Sequence, residues 1–277
     1  MIEKAYGKIN LSLDVVSRRK DGYHNLKSIM LPINIYDVID IELADEMQYQ
    51  CNIDLPYDKS NIIYRCIEAM KQSANSQQNF KIKIEKNIPL QAGLAGGSSD
   101  GACAIRMVNK LLGLNYSFDQ LVSIGSKIGA DIPFCLYSKP AIVEGIGEKI
   151  TPIDFNQDYP VLLIKPAMGI NTAESFKLLD IDRCCHPNID ELYKRLKNNQ
   201  FFADLLGNSL MYSVDKLCPQ VNEIIDSVKK CGYDNVLMTG SGSTVFVIST
   251  NGDDLKELEQ LMRKKYDFVC KTSLLSM

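Results

Sequence analysis

The segment Pro89-Leu90-Gln91-Ala92-Gly93-Leu94-Ala95-Gly96-Gly97-Ser98-Ser99-Asp100 limits the fold more than any other part of the chain. It follows the alternating run Phe80-Ile82-Ile84 and precedes Ala104, Ile105, Val108, Leu111 and Leu112, whose spacing is helical. A glycine-rich passage from strand to helix leaves successive backbone N–H groups at a helix N-terminus. There the dipole favours an anion and missing Cβ atoms let one approach. The passage reads as a phosphate cradle. It matches neither Gly-x-x-x-x-Gly-Lys-Ser/Thr nor Gly-x-Gly-x-x-Gly, which argues against a P-loop or dinucleotide fold. The plainer reading is a flexible connection with Ser98 or Ser99 as helix cap.

Around this segment the first half mixes strands and helices. Ile9, Leu11, Leu13 and Val15 alternate with Lys8, Asn10, Ser12 and Asp14, predicting a strand with one buried face and with Lys8 and Asn10 on the other. Ile39-Ile41-Leu43 predicts another strand, and Ile62, Ile63, Cys66, Ile67 and Met70 a helix. Leu121, Ile124 and Ile128 predict a helix opened by the capping box Ser117-x-x-Gln120 and closed at Gly129. Ile132, preceding Pro133, is expected to be extended, which fixes Asp131 at an element end. After Pro152 come an apolar strand at Val161 to Ile164, helices through the 170s to 220s, and strands Val236 to Met238 and Thr244 to Ile248. A helix carrying Leu255, Leu258, Leu261 and Met262 and a last strand follow. This order predicts a split βαβ layer, with a boundary near residues 153 to 160. The turn Gly240-Ser241-Gly242-Ser243-Thr244 is either a hairpin connection or a second backbone approach to an anionic ligand.

Composition narrows the partners. With 277 residues, 45% of them hydrophobic and 23% charged, the chain is globular and can bury a sizeable core. A formal charge of −3 and the lack of a basic stripe with interleaved aromatics argue against nucleic-acid or acidic-membrane binding, so an anionic ligand must be held locally. Nine scattered cysteines without Cys-x-x-Cys read as reduced, mostly buried thiols. Cys184-Cys185-His186 has the wrong spacing for a zinc knuckle and reads as a surface turn. Met1-Ile2-Glu3-Lys4 opens no signal or transit peptide and no run is long enough to span a bilayer, so a cytoplasmic location is expected.

Three motifs now combine. Ala5-Tyr6-Gly7-Lys8-Ile9-Asn10-Leu11, the cradle from Pro89 to Asp100, and Gly240 to Thr244 resemble the three motifs of the GHMP kinases, in that family's order. Arg18-Arg19-Lys20-Asp21-Gly22-Tyr23-His24 and Gly129-Ala130-Asp131-Ile132-Pro133-Phe134 further resemble the family of 4-diphosphocytidyl-2-C-methylerythritol kinases, and the likeness runs from Ala5 to Phe246. The resemblance implies an α+β, two-domain GHMP kinase fold. Residues 1–155 would form a layer like domain 2 of ribosomal protein S5 and residues 156–277 a ferredoxin-like split βαβ layer, with the active site in the cleft between them.

It also implies phosphorylation of the substrate's 2-hydroxyl by ATP, a step of the non-mevalonate isoprenoid pathway. By resemblance, Asp131 is the general base and Lys8 its charged partner, while Pro89, Gly93, Leu94, Ala95, Gly96, Gly97, Ser98, Ser99 and Asp100 hold ATP. Asn10, Tyr23, His24, Phe176, Gly240 and Ser241 bind substrate, with the Tyr23 ring stacking on cytosine, His24 reading its edge and Phe176 supplying a second stacking face. Mg2+ would be bound through the ATP phosphates, for no dedicated carboxylate pair is evident and only Ser98 could contribute. Asn208-Ser209-Leu210-Met211 lacks the acidic residues of the Asn-Asp-Leu-Glu segment common in that family. The small-molecule substrate is the expected partner, with the chain a monomer or homodimer. Alternatives are another GHMP kinase, disfavoured by Asp21-Gly22-Tyr23-His24, and a noncatalytic ligand-binding protein, disfavoured by the presence of both Lys8 and Asp131.

Overall fold

Two long strands, β1 (Ile2–Arg18) and β2 (His24–Ala44), pair with each other and run through the whole N-terminal architecture. The structure, a computed structural model, describes residues 1–155, 157–250 and 252–275. The chain divides into two compact units. One comprises Met1–Gly7, Ile35–Pro89 and Ala95–Ser138; the other comprises Lys8–Asn34, Leu90–Leu94 and the chain from Lys139 onward.

In the first unit the end of β2 pairs antiparallel with β4 (Asn79–Glu85), and β3 (Gln48–Cys51) pairs parallel with β4. The register sets Ile39 opposite Ile84 and Ile41 opposite Ile82. Alternation then puts these four side chains on one buried face. The unit's helices are α1 (Ile62–Ser73), α2 (Gly96–Leu111), α3 (Phe118–Gly125) and α4 (Ile132–Tyr137), which pack on one another. Asn61 caps α1 by accepting from the Ile63 N–H, and the capping box of α3 is complete. Where α1 meets α2, a Cβ on Gly101 would lie 2.8 Å from both Cys66 Sγ and Ile62 Cγ2. Only glycine permits that approach.

In the second unit the start of β2 pairs with β5 (Ala141–Gly145), which forms a hairpin with β6 (Lys149–Pro152). A four-stranded antiparallel sheet follows, in the order β10 (Phe268–Ser273), β7 (Pro160–Lys165), β9 (Val245–Ile248), β8 (Val236–Met238). Because β9 lies between β7 and β8, this is the expected split βαβ arrangement. The intervening helices are α5 (Thr172–Leu178), α6 (Ile189–Lys197), α7 (Val214–Leu217) and α8 (Gln220–Lys230), and α9 (Lys256–Met262) precedes β10. Val221, Ile224 and Val228 of α8 and Leu258 and Met262 of α9 close the core over Leu162, Ile164, Val245 and Val247.

Four local expectations change. β1 is buried on both faces from Gly7 to Leu13, so Lys8 and Asn10 are interior residues. α2 starts at Gly96 with Ala95 as its cap, not after Ser98 or Ser99. α3 ends at Gly125, short of Ile128. Ile132 is the first helical residue of α4, not extended, because Pro133 falls at the second position, where a backbone N–H has no helical acceptor to lose. Of the cysteines only Cys66, Cys103, Cys135 and Cys218 are buried, fewer than expected. Among the described residues no helix is long and apolar enough to cross a membrane.

The α1–α2 contact is directly testable. Gly101→Val should destabilise the chain by about 1–3 kcal/mol through overpacking, read as a lowered urea midpoint. An unchanged midpoint would mean that the two helices do not meet this closely.

Candidate active site

In the first unit the glycine segment delivers the start of α2. Ala95 adopts the left-handed conformation (φ 58°, ψ 27°) as the helix cap, and no side chain caps this end. The N–H groups of Gly96, Gly97 and Ser98 therefore have no acceptor within the helix, whereas Ser99 N bonds Ala95 O at 2.8 Å. Side chains crowd these two glycines from the inner side. A Cβ on Gly96 would lie 2.9 Å from Ile88 Cγ2, and one on Gly97 3.2 Å from Ile62 Cδ1. The Ser99 hydroxyl is already engaged, donating to Tyr6 O at 2.6 Å. Asp131 stands at the start of α4, its carbonyl accepting from Cys135 N at 3.0 Å. Its neighbour Gly129 lies beside Ser98, since a Cβ there would be 3.7 Å from Ser98 Oγ.

Behind the helix start lies a buried charge cluster. Lys86 Nζ donates to Asp100 Oδ2 at 2.5 Å and also to Asp37 Oδ2. Asp37 Oδ1 accepts from the Asn87 and Ile88 N–H groups at 2.5 and 2.8 Å. Asp100 Oδ1 has no partner among the described residues. Burial pushes the Asp100 carboxyl up to about 8, Asp37 adding to the rise and Lys86 opposing it. Lys86 is itself raised: burial acts against its charge, but the two carboxylates outweigh it. Asp100 thus braces α2 from below.

The second unit gathers the other motifs. Lys8, 3% exposed, donates from Nζ to Asn10 Oδ1 at 2.6 Å and to Gly93 O at 2.9 Å. Asn10 is held in turn, its N–H donating to Thr239 Oγ1 at 2.8 Å and its Nδ2 to Ser28 Oγ at 2.9 Å. Gly93 (φ 72°) could carry no side chain, because a Cβ would fall 2.2 Å from Thr239 O. Gly240 (φ 57°) closes the group: a Cβ there would lie 3.2 Å from Lys8 Nζ and 3.3 Å from Asn10 Oδ1. The two glycine turns abut, with Thr244 N donating to Ala92 O at 3.3 Å. Lys8, Asn10, Gly93 and Gly240 are therefore one polar knot. Leu94, buried, joins it by accepting from Lys8 N at 3.1 Å; Pro89, half-buried, is the last residue of the Ile35–Pro89 segment of the first unit.

The remaining expected contacts also belong to this unit. Tyr23 is exposed, in a turn where its N–H donates to Asp21 Oδ1 at 3.1 Å. The His24 ring stacks on Phe176, with centroids 5.1 Å apart and planes 26° apart. Burial, then the nearby Arg18 charge, hold the His24 imidazole below its ordinary value. Ser241 Oγ lies 2.8 Å from Thr172 Oγ1. Sequence reasoning missed Thr239, Ser28 and the Asp37–Lys86 pair, for a lysine between Glu85 and Asn87 looks like an ordinary surface charge. Among the described residues no group of three or more His, Cys, Asp or Glu could hold a metal ion.

Residues 61–139 match the GHMP kinases N terminal domain and residues 201–267 the GHMP kinases C terminal domain. The chain is 38% identical to a 4-diphosphocytidyl-2-C-methyl-D-erythritol kinase of Clostridium beijerinckii, covering 97% of this chain and 99% of the relative. It is 39% identical to one of Geobacillus, covering 99% and 97%. The chain belongs to the 4-diphosphocytidyl-2-C-methyl-D-erythritol kinase family. A crystal structure of a 4-(cytidine 5'-diphospho)-2C-methyl-D-erythritol kinase superposes with a TM-score of 0.83 at 26% identity, over 99% of both chains. A homoserine kinase from Cytophaga hutchinsonii, at 16% identity and a TM-score of 0.75, covers 100% of this chain and 93% of its own and shares the fold alone. As a member of the 4-diphosphocytidyl-2-C-methyl-D-erythritol kinase family, the chain is an ATP-dependent small-molecule kinase.

The Asp100 shift has a sign. A carboxyl raised above its unfolded value of about 4 gives stability that is complete below that pH and is lost as pH rises through the raised folded value. Asp100→Asn, whose amide oxygen can still accept from Lys86, should therefore lose less unfolding free energy between pH 5 and 8 than the wild type, read by urea titration at both. Parallel losses in the two proteins would show that Asp100 does not titrate in this window.

Proposed function

We propose that the chain transfers the γ-phosphoryl group of ATP to the 2-hydroxyl of 4-diphosphocytidyl-2-C-methyl-D-erythritol, in the cytoplasm. The observation that carries this reading is the buried Lys8 ammonium, fixed by Asn10 and Gly93 and enclosed by two glycine turns. An ammonium taken out of water is costly, and one held this firmly suits a step in which negative charge develops.

In the proposed step Asp131 takes the proton of the 2-hydroxyl. The oxygen bonds to the γ-phosphorus while the bond from that phosphorus to the β–γ bridging oxygen breaks, and ADP leaves with the electron pair. Lys8 offsets charge on the attacking and transferring oxygens. The N–H groups of Gly96, Gly97 and Ser98 receive phosphate oxygens at the start of α2. Mg2+ would be held through the ATP phosphates, with the Ser98 hydroxyl as a contributor, and would neutralise phosphate charge. The cytosine stacks on the exposed Tyr23 ring and is read at its edge by His24. Phe176, in ring contact with His24, supplies the second stacking face for the base.

A coupled ADP-release assay tests the reading: turnover is expected with the cytidyl substrate and not with homoserine, mevalonate or galactose. Turnover of one of those three alone would overturn it. Asp131→Asn should lower kcat by about 10²–10⁴ while nucleotide affinity stays, and near-normal turnover would remove the base assignment.

Base reading has its own test. Tyr23→Ala should weaken substrate binding by about 1–3 kcal/mol, chiefly in KM. Replacing cytosine by uracil turns an amino donor into a carbonyl acceptor, so kcat/KM should fall further than stacking alone explains. Equal kcat/KM for the two compounds would mean that Tyr23 and His24 stack without reading.

A further inference from the structure

The stretch Gly207-Asn208-Ser209 lies alongside β1. Leu13 and Asn208 form a parallel bridge, Leu13 N donates to Gly207 O at 2.9 Å, and Val15 N donates to Ser209 Oγ at 2.9 Å. The Asn208 side chain is thereby aimed at the start of the turn between β8 and β9. Its residue is 1% exposed. Nδ2 donates to Met238 O at 2.9 Å and to Gly240 O at 2.8 Å, and Oδ1 accepts from Leu210 N at 3.0 Å. The opposite amide orientation would set an oxygen against two carbonyl oxygens, so the network itself fixes which atom is nitrogen.

Those two carbonyls flank Thr239, whose hydroxyl accepts from Asn10 N, and the second belongs to Gly240, whose α-carbon faces Lys8 Nζ and Asn10 Oδ1. Asn208 therefore holds from behind the piece of backbone against which Lys8 and Asn10 are packed from the front. We propose that Asn208 is a positioning residue for phosphoryl transfer. It touches neither ATP nor substrate but fixes the Met238–Gly240 backbone, and through it the place of the Lys8 ammonium and of the turn offered to the substrate. The inference rests on the function proposed above. It also gives the Asn208–Met211 segment a task that needs no acidic residue there.

Asn208→Asp keeps the shape but turns two donated hydrogen bonds into oxygen facing oxygen. With the cytidyl substrate, kcat should fall about 10- to 100-fold, the scale of an ångström-sized misplacement, and acceptor KM should rise, while the Kd for ATP by calorimetry stays within about twofold. Ile224→Ala, in the α8 core, serves as the control for destabilisation alone: it should lower Tm yet leave kcat unchanged below its transition. Unchanged kcat in Asn208→Asp, or an equal loss in Ile224→Ala, would overturn the proposal.

Two readouts do not depend on turnover, so a wrong substrate and a wrong role for Asn208 can be told apart. Hydrogen exchange at the Gly240 and Ser241 amides should quicken in Asn208→Asp and not in Ile224→Ala. If the variant does not fold, the wild type decides. Slow exchange of the Asn208 side-chain NH2 protons in its NMR spectrum supports the grip on the turn, and exchange at the rate of an exposed amide contradicts it.

Discussion

The Lys8 ammonium and its two acceptors set the terms for the second unit. To hold a charge that is almost wholly removed from water, Asn10 Oδ1 and Gly93 O must come within 2.6 and 2.9 Å. Each requirement passes to the next residue. Gly93 can bring its carbonyl in only because it has no Cβ to strike Thr239 O. Asn10 keeps its orientation because Ser28 takes its amide and Thr239 its backbone N–H. Gly240 is a glycine because Lys8 and Asn10 occupy the space where a side chain would begin. Two glycine motifs far apart in the chain, and a strand motif at its start, are thus consequences of placing one ammonium.

The first unit contains a second buried ammonium with a different use. Lys86 faces two carboxylates and ties β2, through Asp37, to α2, through Asp100. Removing Lys86 would leave the Asp37 carboxylate buried without its counter-charge, so the cluster resists change and keeps the start of α2 in place. What α2 then presents is its own unsatisfied N–H groups, with no side chain capping them. The arrangement suits an anion that comes and goes better than a permanent cap would.

How far these features were legible in the sequence depended on whether the signal was periodic, local or distant. The split βαβ layer could be read because α8 and α9 carry clean helical spacing and the apolar strands between them are short and well punctuated. The capping box at Ser117 is a three-residue signal and held. β1 misled, because alternation suggests one wet face whereas the strand is covered on both, by apolar contacts on one side and a polar network on the other. Ile132 misled because the bias of a residue before proline is weaker than the gain from starting a helix with proline in its first turn. Lys86 and Thr239 carried no local signal, and Asn208 stood out only as part of Asn208-Ser209-Leu210-Met211, with no hint of its task. Their contacts with Asp37, Asn10, Met238 and Gly240 span 49, 229, 30 and 32 positions, which spacing cannot reveal.

The central claim is that phosphate arrives on the 2-hydroxyl. That carbon bears the methyl branch and no hydrogen, so the site of transfer can be read directly by 31P NMR of the product formed from ATP and the cytidyl substrate. The account predicts one new phosphomonoester resonance with no splitting from a carbinol proton, together with phosphorus coupling on the methyl-bearing carbon. A monoester signal split by a carbinol proton would place the phosphate on a different hydroxyl and contradict the account.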